Sequence, residues 1–304
     1  LLQVSGSVVN DVFQKLLAED MLRTEEVGGL RLIYPEYLYQ AEVQTSKRLL
    51  KLRDLADALE KVNVDKIIGQ WESEAGIVLA EAQKEAIHAS LKYGVFVLTG
   101  GPGTGKTTVI KGILAVLEKA GCRILLAAPT GRAARRLADS SGHPAVTVHR
   151  LLEYTPNGGG FNFGKNDGDP LDADAIIIDE ASMLDITLTY HLLKAVQGGC
   201  RLIFVGDVDQ LPSVGAGSVL KDIIRSQKMP VVRLENVFRQ AEISPIVRNA
   251  HRINRGQMPE WEPSSDFTFV EIENEFDAAE YVANIYARLT QQSDWQSVQV
   301  LSPM

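Results

Sequence analysis

The chain has little of what marks several protein classes. Two cysteines, Cys122 and Cys200, occur in 304 residues. That is too few for a disulfide framework. Each sits at the edge of an apolar run, which predicts a small buried hydrophobe in a reducing compartment rather than a redox pair. No apolar run approaches the roughly 20 residues of a membrane span; the longest, around Ile124–Ala128 and Ala175–Ile178, have the length of strands. The first residues carry no basic-then-apolar signal pattern. They read Leu1-Leu2-Gln3 without a Met, which predicts a piece of a longer protein. These features together point to a cytoplasmic protein with no membrane partner. Neither a disordered nor a collagen-like chain fits 45% hydrophobic residues, 25 Gly and 12 Pro.

A surplus of positive charge is also missing: the net charge is −8. Its location matters more than its size. Residues 257–304 hold nine acids against one base, Arg288, and so account for all of it. Residues 1–256 are neutral, with 30 bases and 30 acids. The acidity therefore excludes no nucleic-acid partner and supplies no general attraction to one. Any anionic ligand must be held by local groups.

The length predicts about two domains, and the pattern divides the chain into three stretches. Residues 1–69 read as helical, with Val8, Val9, Val12, Phe13, Leu16 and Leu17 at helical spacing. The run Met21–Tyr34, turning at Gly28-Gly29, reads as a β-hairpin. Gln40–Lys61 reads as a second helix with Leu49, Leu52, Leu55 and Leu59 on one face. Helix and hairpin together predict either a winged-helix-like module or a helical spacer. From Gln70 the pattern becomes α/β, with strands at Val95–Leu98, Ile124–Ala128, Ala175–Ile178, Leu202–Val205 and Val231–Leu234. This alternation predicts a parallel sheet covered by helices on both faces. The Gly-rich stretch between Tyr154 and Asp172 reads as a surface loop or hairpin. Residues 257–304 read as the start of a further α/β unit: a strand at Phe267–Ile272, a helix at Ala278–Leu289 and a strand at Val298–Leu301.

One motif is specific on its own. Gly100-Gly101-Pro102-Gly103-Thr104-Gly105-Lys106-Thr107 fits the phosphate-binding P-loop pattern, with a strand before it and a helix after it. Glycines let backbone N–H groups close around phosphate oxygens, and the helix start adds a positive dipole end. Lys106 supplies a charge for the β/γ-phosphates and the Thr107 hydroxyl a ligand for Mg²⁺. The strand Ala175–Ile178 ends in Asp179-Glu180. At the carboxyl edge of a parallel sheet, Asp179 can hold Mg²⁺ and Glu180 can orient or deprotonate a water. Gln210, after the strand Leu202–Val205, suits a neutral sensor of the γ-phosphate. Arg132, Arg135 and Arg136 fit a DNA-facing or a merely solvated helix face equally well, and His149 fits a nucleic-acid contact or a structural role.

In order, these segments resemble superfamily 1 helicases, closest to the RecD-like 5′→3′ branch, superfamily 1B, and within it to the long, free-standing type. Leu79–Ala86 with Gln83 resembles the family's adenine-reading segment. Ala127–Ala134 resembles motif Ia, which in the family touches single-stranded DNA, and thereby implicates Pro129, Thr130, Gly131 and Arg132. Thr147–Leu152, with His149, resembles the RecD-like T-x-H-R-L-L segment. Asp179–Met183 is similar to the family's Walker B motif, Gly206–Gly217 to motif III, and Val237–Gln240 to motif IV, whose arginine, here Arg239, reaches the γ-phosphate. The resemblance is dense from about Gln70 to Arg255. It implies a RecA-like P-loop NTPase domain over 70–256 and an incomplete second RecA-like domain over 257–304. Mg-ATP would bind Gly101, Pro102, Gly103, Thr104, Gly105, Lys106, Thr107 and Thr108. It further implies single-stranded DNA, and DNA with a 5′ overhang, as substrates of a monomer. Motifs V and VI of the family's second domain find no match after Gly256. The competing reading is a nucleotide-regulated DNA-binding module without motor activity. A transporter ATPase is disfavoured, since no L-S-G-G-Q-like run occurs.

Overall fold

A computed structural model describes residues 4–55, 62–157, 160–235, 244–261, 266–292 and 294–302. It divides into two compact units, Leu1–Ala241 and Glu242–Met304. The first unit is built on a six-stranded sheet. Its strands are β3 (Val95–Gly100), β4 (Ile124–Ala128), β5 (Ala145–Thr147), β8 (Ala175–Ile178), β9 (Arg201–Gly206) and β10 (Val231–Leu234), in the order β10-β3-β9-β8-β4-β5. Every pairing is parallel.

The sheet is buried on both faces, and its side chains sort by residue parity. Val95, Val97, Ile176, Ile178, Leu202 and Phe204 point into one core. Phe96, Leu98, Ala175, Ile177, Ile203 and Val205 point into the other. This is why the strands appear in the sequence as unbroken apolar runs. The first core is closed by α2 (Glu36–Leu55), α8 (Ile186–Ala195) and α9 (Val219–Ser226), through Leu49, Leu52, Leu192, Leu193, Leu220 and Ile223. The second is closed by α3 (Val64–Ala75), α4 (Glu81–Lys92), α5 (Lys106–Lys119) and α6 (Gly131–Ser141), through Ile68, Ile87, Ile110, Ile113, Leu117 and Leu137. Helices α2 and α3, from the N-terminal stretch, thus complete the two cores. Helix α1 (Gly6–Ala18) forms as its spacing predicts but buries none of its residues, and Val8, Val9 and Val12 are exposed.

The hairpin expected around Gly28-Gly29 is present: β1 (Leu22–Val27) pairs with β2 (Leu30–Pro35). The Gly-rich stretch holds a second hairpin, β6 (Tyr154–Asn157) with β7 (Gly160–Phe163), after the short α7 (Val148–Leu151). Both cysteines are free. Cys200 is buried, and desolvation pushes its thiol up to about 12, which suits an inert packing residue.

In the second unit α10 (Pro245–Asn254) and α11 (Glu275–Gln292) are helical, and α11 contains the stretch expected at Ala278–Leu289. The two stretches expected as strands around it, Phe267–Ile272 and Val298–Leu301, are not assigned to any strand among the described residues. Alternating apolar residues suit a strand, but a strand exists only through a partner that takes its N–H and C=O groups.

The central packing makes a quantitative expectation. Phe204 is fully buried in the middle of β9, so Phe204→Ala should cost about 3–5 kcal/mol. The exposed Val8→Ala should cost less than about 0.5 kcal/mol. Urea denaturation of both variants checks the contrast.

Candidate active site

Parallel strands bring their carboxyl ends to one edge, and the segments leaving that edge carry the chemistry. The P-loop leaves β3, Pro129–Arg132 leaves β4, His149 lies two residues past β5, Asp179-Glu180 leaves β8 and Asp207–Gln210 leaves β9. Five segments far apart in sequence therefore share one rim.

The P-loop backbone is one that only glycine adopts freely. Gly103 and Gly105 lie in the left-handed region, at φ 76° and 84°. At Gly100 a Cβ would stand 2.8 Å from the Leu234 carbonyl oxygen and 2.7 Å from Thr104 Oγ1. Thr104 is buried and donates to the Gly101 carbonyl at 2.9 Å. Lys106 folds over the loop, and its Nζ donates to the carbonyls of Gly100 at 2.6 Å and Gly101 at 3.1 Å. Thr107 and Thr108, on the first turn of α5, are half-buried, whereas Pro102 and Gly103 are exposed.

Burial dominates the electrostatics of this ammonium. Desolvation lowers the Lys106 pKa despite the opposing pull of Asp207, Glu180 and Asp179. The same burial raises the Asp179 carboxyl, which is 8% exposed, with the charge of Glu180 adding to the effect. Asp179 Oδ1 accepts the Glu180 N–H at 2.9 Å. Glu180 itself has φ 52°, a left-handed conformation that costs a non-glycine residue about 1–3 kcal/mol. Its carboxylate accepts from Arg136 Nη2 at 3.1 Å.

Close backbone approach explains a second glycine. A Cβ on Gly206, at the end of β9, would stand 3.1–3.2 Å from the backbone nitrogens of Ser182 and Ala181, in the turn after Glu180. That contact locks the Asp179-Glu180 turn against the Gly206–Gly217 segment. There, buried Asp207 accepts the Asp209 N–H at 3.0 Å, and Gln210 is exposed.

Other expected residues are placed as follows. Thr130 caps α6, its hydroxyl accepting the Ala133 N–H at 3.2 Å. Pro129 is half-buried, and Gly131 and Arg132 are exposed at the start of that helix. His149 is exposed and lies edge-on to Tyr154, with ring centroids 5.5 Å apart, beside Phe163. Gln83 is buried on the first turn of α4, and its carbonyl accepts the Ala80 N–H at 3.0 Å. Its Nε2 is buried without a partner, so its polar contact is with its own helix end rather than with the P-loop. Arg239 and Gln240 lie outside the described residues.

Two residues close to the buried charges escape sequence reasoning. Asp207 shows only as one acid in a turn; its position directly after a buried strand on the P-loop side was the available signal. Arg136 reads as one of three arginines on a helix face that is DNA-facing or merely solvated, with no sign of a carboxylate partner.

The residues present suit Mg²⁺. Thr107 and Asp179 offer hard oxygen donors at the same rim, and a cation beside Asp179 would favour the charged carboxylate that burial disfavours.

Comparison with known proteins agrees with the ordered motifs. The family described as AAA domain matches residues 83–216. The ATP-dependent RecD2 DNA helicase of Deinococcus radiodurans is 43% identical over 183 residues, covering 60% of this chain and 25% of that protein. The RecBCD enzyme subunit RecD of Mycobacterium tuberculosis is 44% identical over 167 residues, covering 47% of this chain and 28% of that protein. The chain thus spans about a quarter of the length of these relatives. The crystal structure of Pif1 helicase from Candida albicans superimposes with a TM-score of 0.47 at 18% identity, over 72% of this chain and 56% of that one. No described helix is long and apolar enough to cross a membrane.

The raised carboxyl of Asp179 fixes the sign of a pH effect. A folded-state pKa above the unfolded value makes the charged form a cost, which grows as pH rises from the ordinary carboxylate range through the raised value. Asp179→Asn keeps the Oδ1 acceptor and removes that cost. It should melt higher than the parent at pH 7, with the difference closing below about pH 4. Thermal unfolding across pH checks this.

Proposed function

We propose that this chain is a RecD-like superfamily 1 helicase segment, the ATP-hydrolysing motor portion of a 5′→3′ DNA helicase. The observation that carries the reading is the set of buried Asp179 and Asp207 with half-buried Lys106 and Glu180 beside a glycine-shaped loop at one sheet edge. A lysine and three acids in so little water suit a polyphosphate and its cation.

In this reading Mg-ATP lies on Gly101–Thr108, with Gln83 toward the base. Lys106 leaves the carbonyls of Gly100 and Gly101 for the β/γ-phosphates, replacing two neutral acceptors by charged oxygens. Thr107 and Asp179 would hold Mg²⁺, which would supply positive charge beside the phosphates. Glu180 orients the attacking water and takes its proton. Gln210 and Arg239 sense the γ-phosphate, and the arginine stabilises developing negative charge.

Single-stranded DNA lies across Pro129, Thr130, Gly131, Arg132 and His149. The α6 N-terminus offers backbone N–H groups and a positive dipole end to a phosphate, and the His149 ring is open to the nucleic acid. A second RecA-like domain closes the nucleotide cleft in the whole protein, and alternate closing and opening moves the strand. The protein acts as a cytoplasmic monomer on DNA with a 5′ overhang.

The test uses the full-length protein. Lys106→Ala should lower DNA-stimulated ATPase by about 10²–10³-fold, the scale of losing one charge-stabilising donor, in a variant that a cooperative melting curve shows to be folded. Unwinding should require a 5′ overhang and fail on a 3′ one. Undiminished ATPase in the variant would refute the site. Nucleotide-sensitive DNA binding without hydrolysis would favour a binding module instead.

A further inference from the structure

The contact between Arg136 and Glu180 joins two segments given separate tasks above. Arg136 stands on α6 and Glu180 on the turn after β8, 44 residues apart. Their side chains differ sharply in exposure: the glutamate is 15% exposed and the arginine 69%. Glu180 is held by its surroundings, with a left-handed backbone, its N–H on Asp179 Oδ1, and the next two residues against Gly206. Arg136 reaches in from solvent on a long, flexible stem. Of the two partners, the arginine is the one free to leave.

Its position says where it would go. Arg136 follows Arg132 by four residues, so the two stand on one face of α6, about 5–6 Å apart at Cβ. Helical side chains lean toward the N-terminus, here toward Thr130 and the rim of the sheet. A phosphate backbone held at Thr130–Arg132 is therefore within reach of Arg136, and offers the guanidinium a two-oxygen partner. An ion pair with one exposed member is weak enough to exchange.

We propose that Arg136 is a positioning residue that restrains Glu180 in the DNA-free protein, and that a single-stranded DNA backbone at the start of α6 draws the guanidinium away. The proposal rests on the ATPase reading above. The Glu180 oxygen engaged by a guanidinium N–H is turned from the attacking water. Once released, the carboxylate takes a proton from that water while the water oxygen bonds to the γ-phosphorus and the β–γ bridging oxygen leaves with its electron pair. The products are ADP and inorganic phosphate. DNA thereby switches on hydrolysis by removing a restraint, through one side chain.

Steady-state ATPase of the full-length protein, with and without an oligo(dT) strand, tests this in Arg136→Ala and Arg136→Lys. The alanine variant should raise the DNA-free kcat about two- to fivefold, the range expected for losing such a pair. The KM for ATP should stay unchanged, and the stimulation by oligo(dT) should shrink by the same factor. The lysine variant, which keeps the charge, should restore most of the restraint. A merely structural arginine would lower kcat in both states together with the melting temperature, and that result overturns the proposal. So does a DNA-free kcat at or below that of the parent in a well-folded alanine variant. If instead the parent's ATPase survives Lys106→Ala, the site assignment itself has failed rather than the role of Arg136.

Discussion

The structure turns on one constraint: an ammonium and three carboxylates share a poorly solvated rim at the end of a parallel sheet. Burial pushes Lys106 toward its neutral form and Asp179 toward its protonated form. Asp207, Glu180, Asp179 and the loop carbonyls oppose that push on Lys106, and the Glu180 N–H, Arg136 and Lys106 oppose it on Asp179, where the charge of Glu180 works the other way. An arrangement of this kind costs stability in the free protein. It becomes favourable when a highly charged ligand with its own cation enters, because every buried charge then acquires a partner. The glycines at 100, 103 and 105 serve the same end by letting the backbone close where a side chain would stand.

The sheet makes that rim possible. Its order places β9 between β3 and β8, so the P-loop and the Asp179-Glu180 turn flank the segment that carries Asp207 and Gln210. Gly206 then lets the two neighbouring segments touch backbone to backbone. A change at one is therefore passed to the other by packing rather than by a mobile side chain. On the far side, β4 and β5 end level with each other, Ala128 opposite Thr147. This brings Thr130 and His149 to adjacent positions on the rim, and helix α6 runs from there to meet Glu180 through Arg136.

Much of this was legible in the sequence, for physical reasons that can be named. The five long strands show because burial on both faces demands unbroken apolar runs. The P-loop shows because its glycine and lysine spacing is imposed by phosphate geometry. Pattern failed where a partner decides the outcome. Phe267–Ile272 and Val298–Leu301 have the composition of strands but are assigned to none among the described residues. The apolar stripe of α1 has helical spacing yet covers no core. Arg136 reads in the sequence as one of three arginines on a DNA-facing or solvated face, because nothing in a linear sequence tells that it meets Glu180.

The most direct measurement of the central idea is calorimetric titration of the 1–304 chain with a non-hydrolysable ATP analogue, with Mg²⁺ and then with the cation chelated. If the buried charges form a polyphosphate site, one analogue should bind per chain in the presence of Mg²⁺ and bind far more weakly without it. No heat of binding under either condition, from a chain that is folded by its melting curve, would contradict the account.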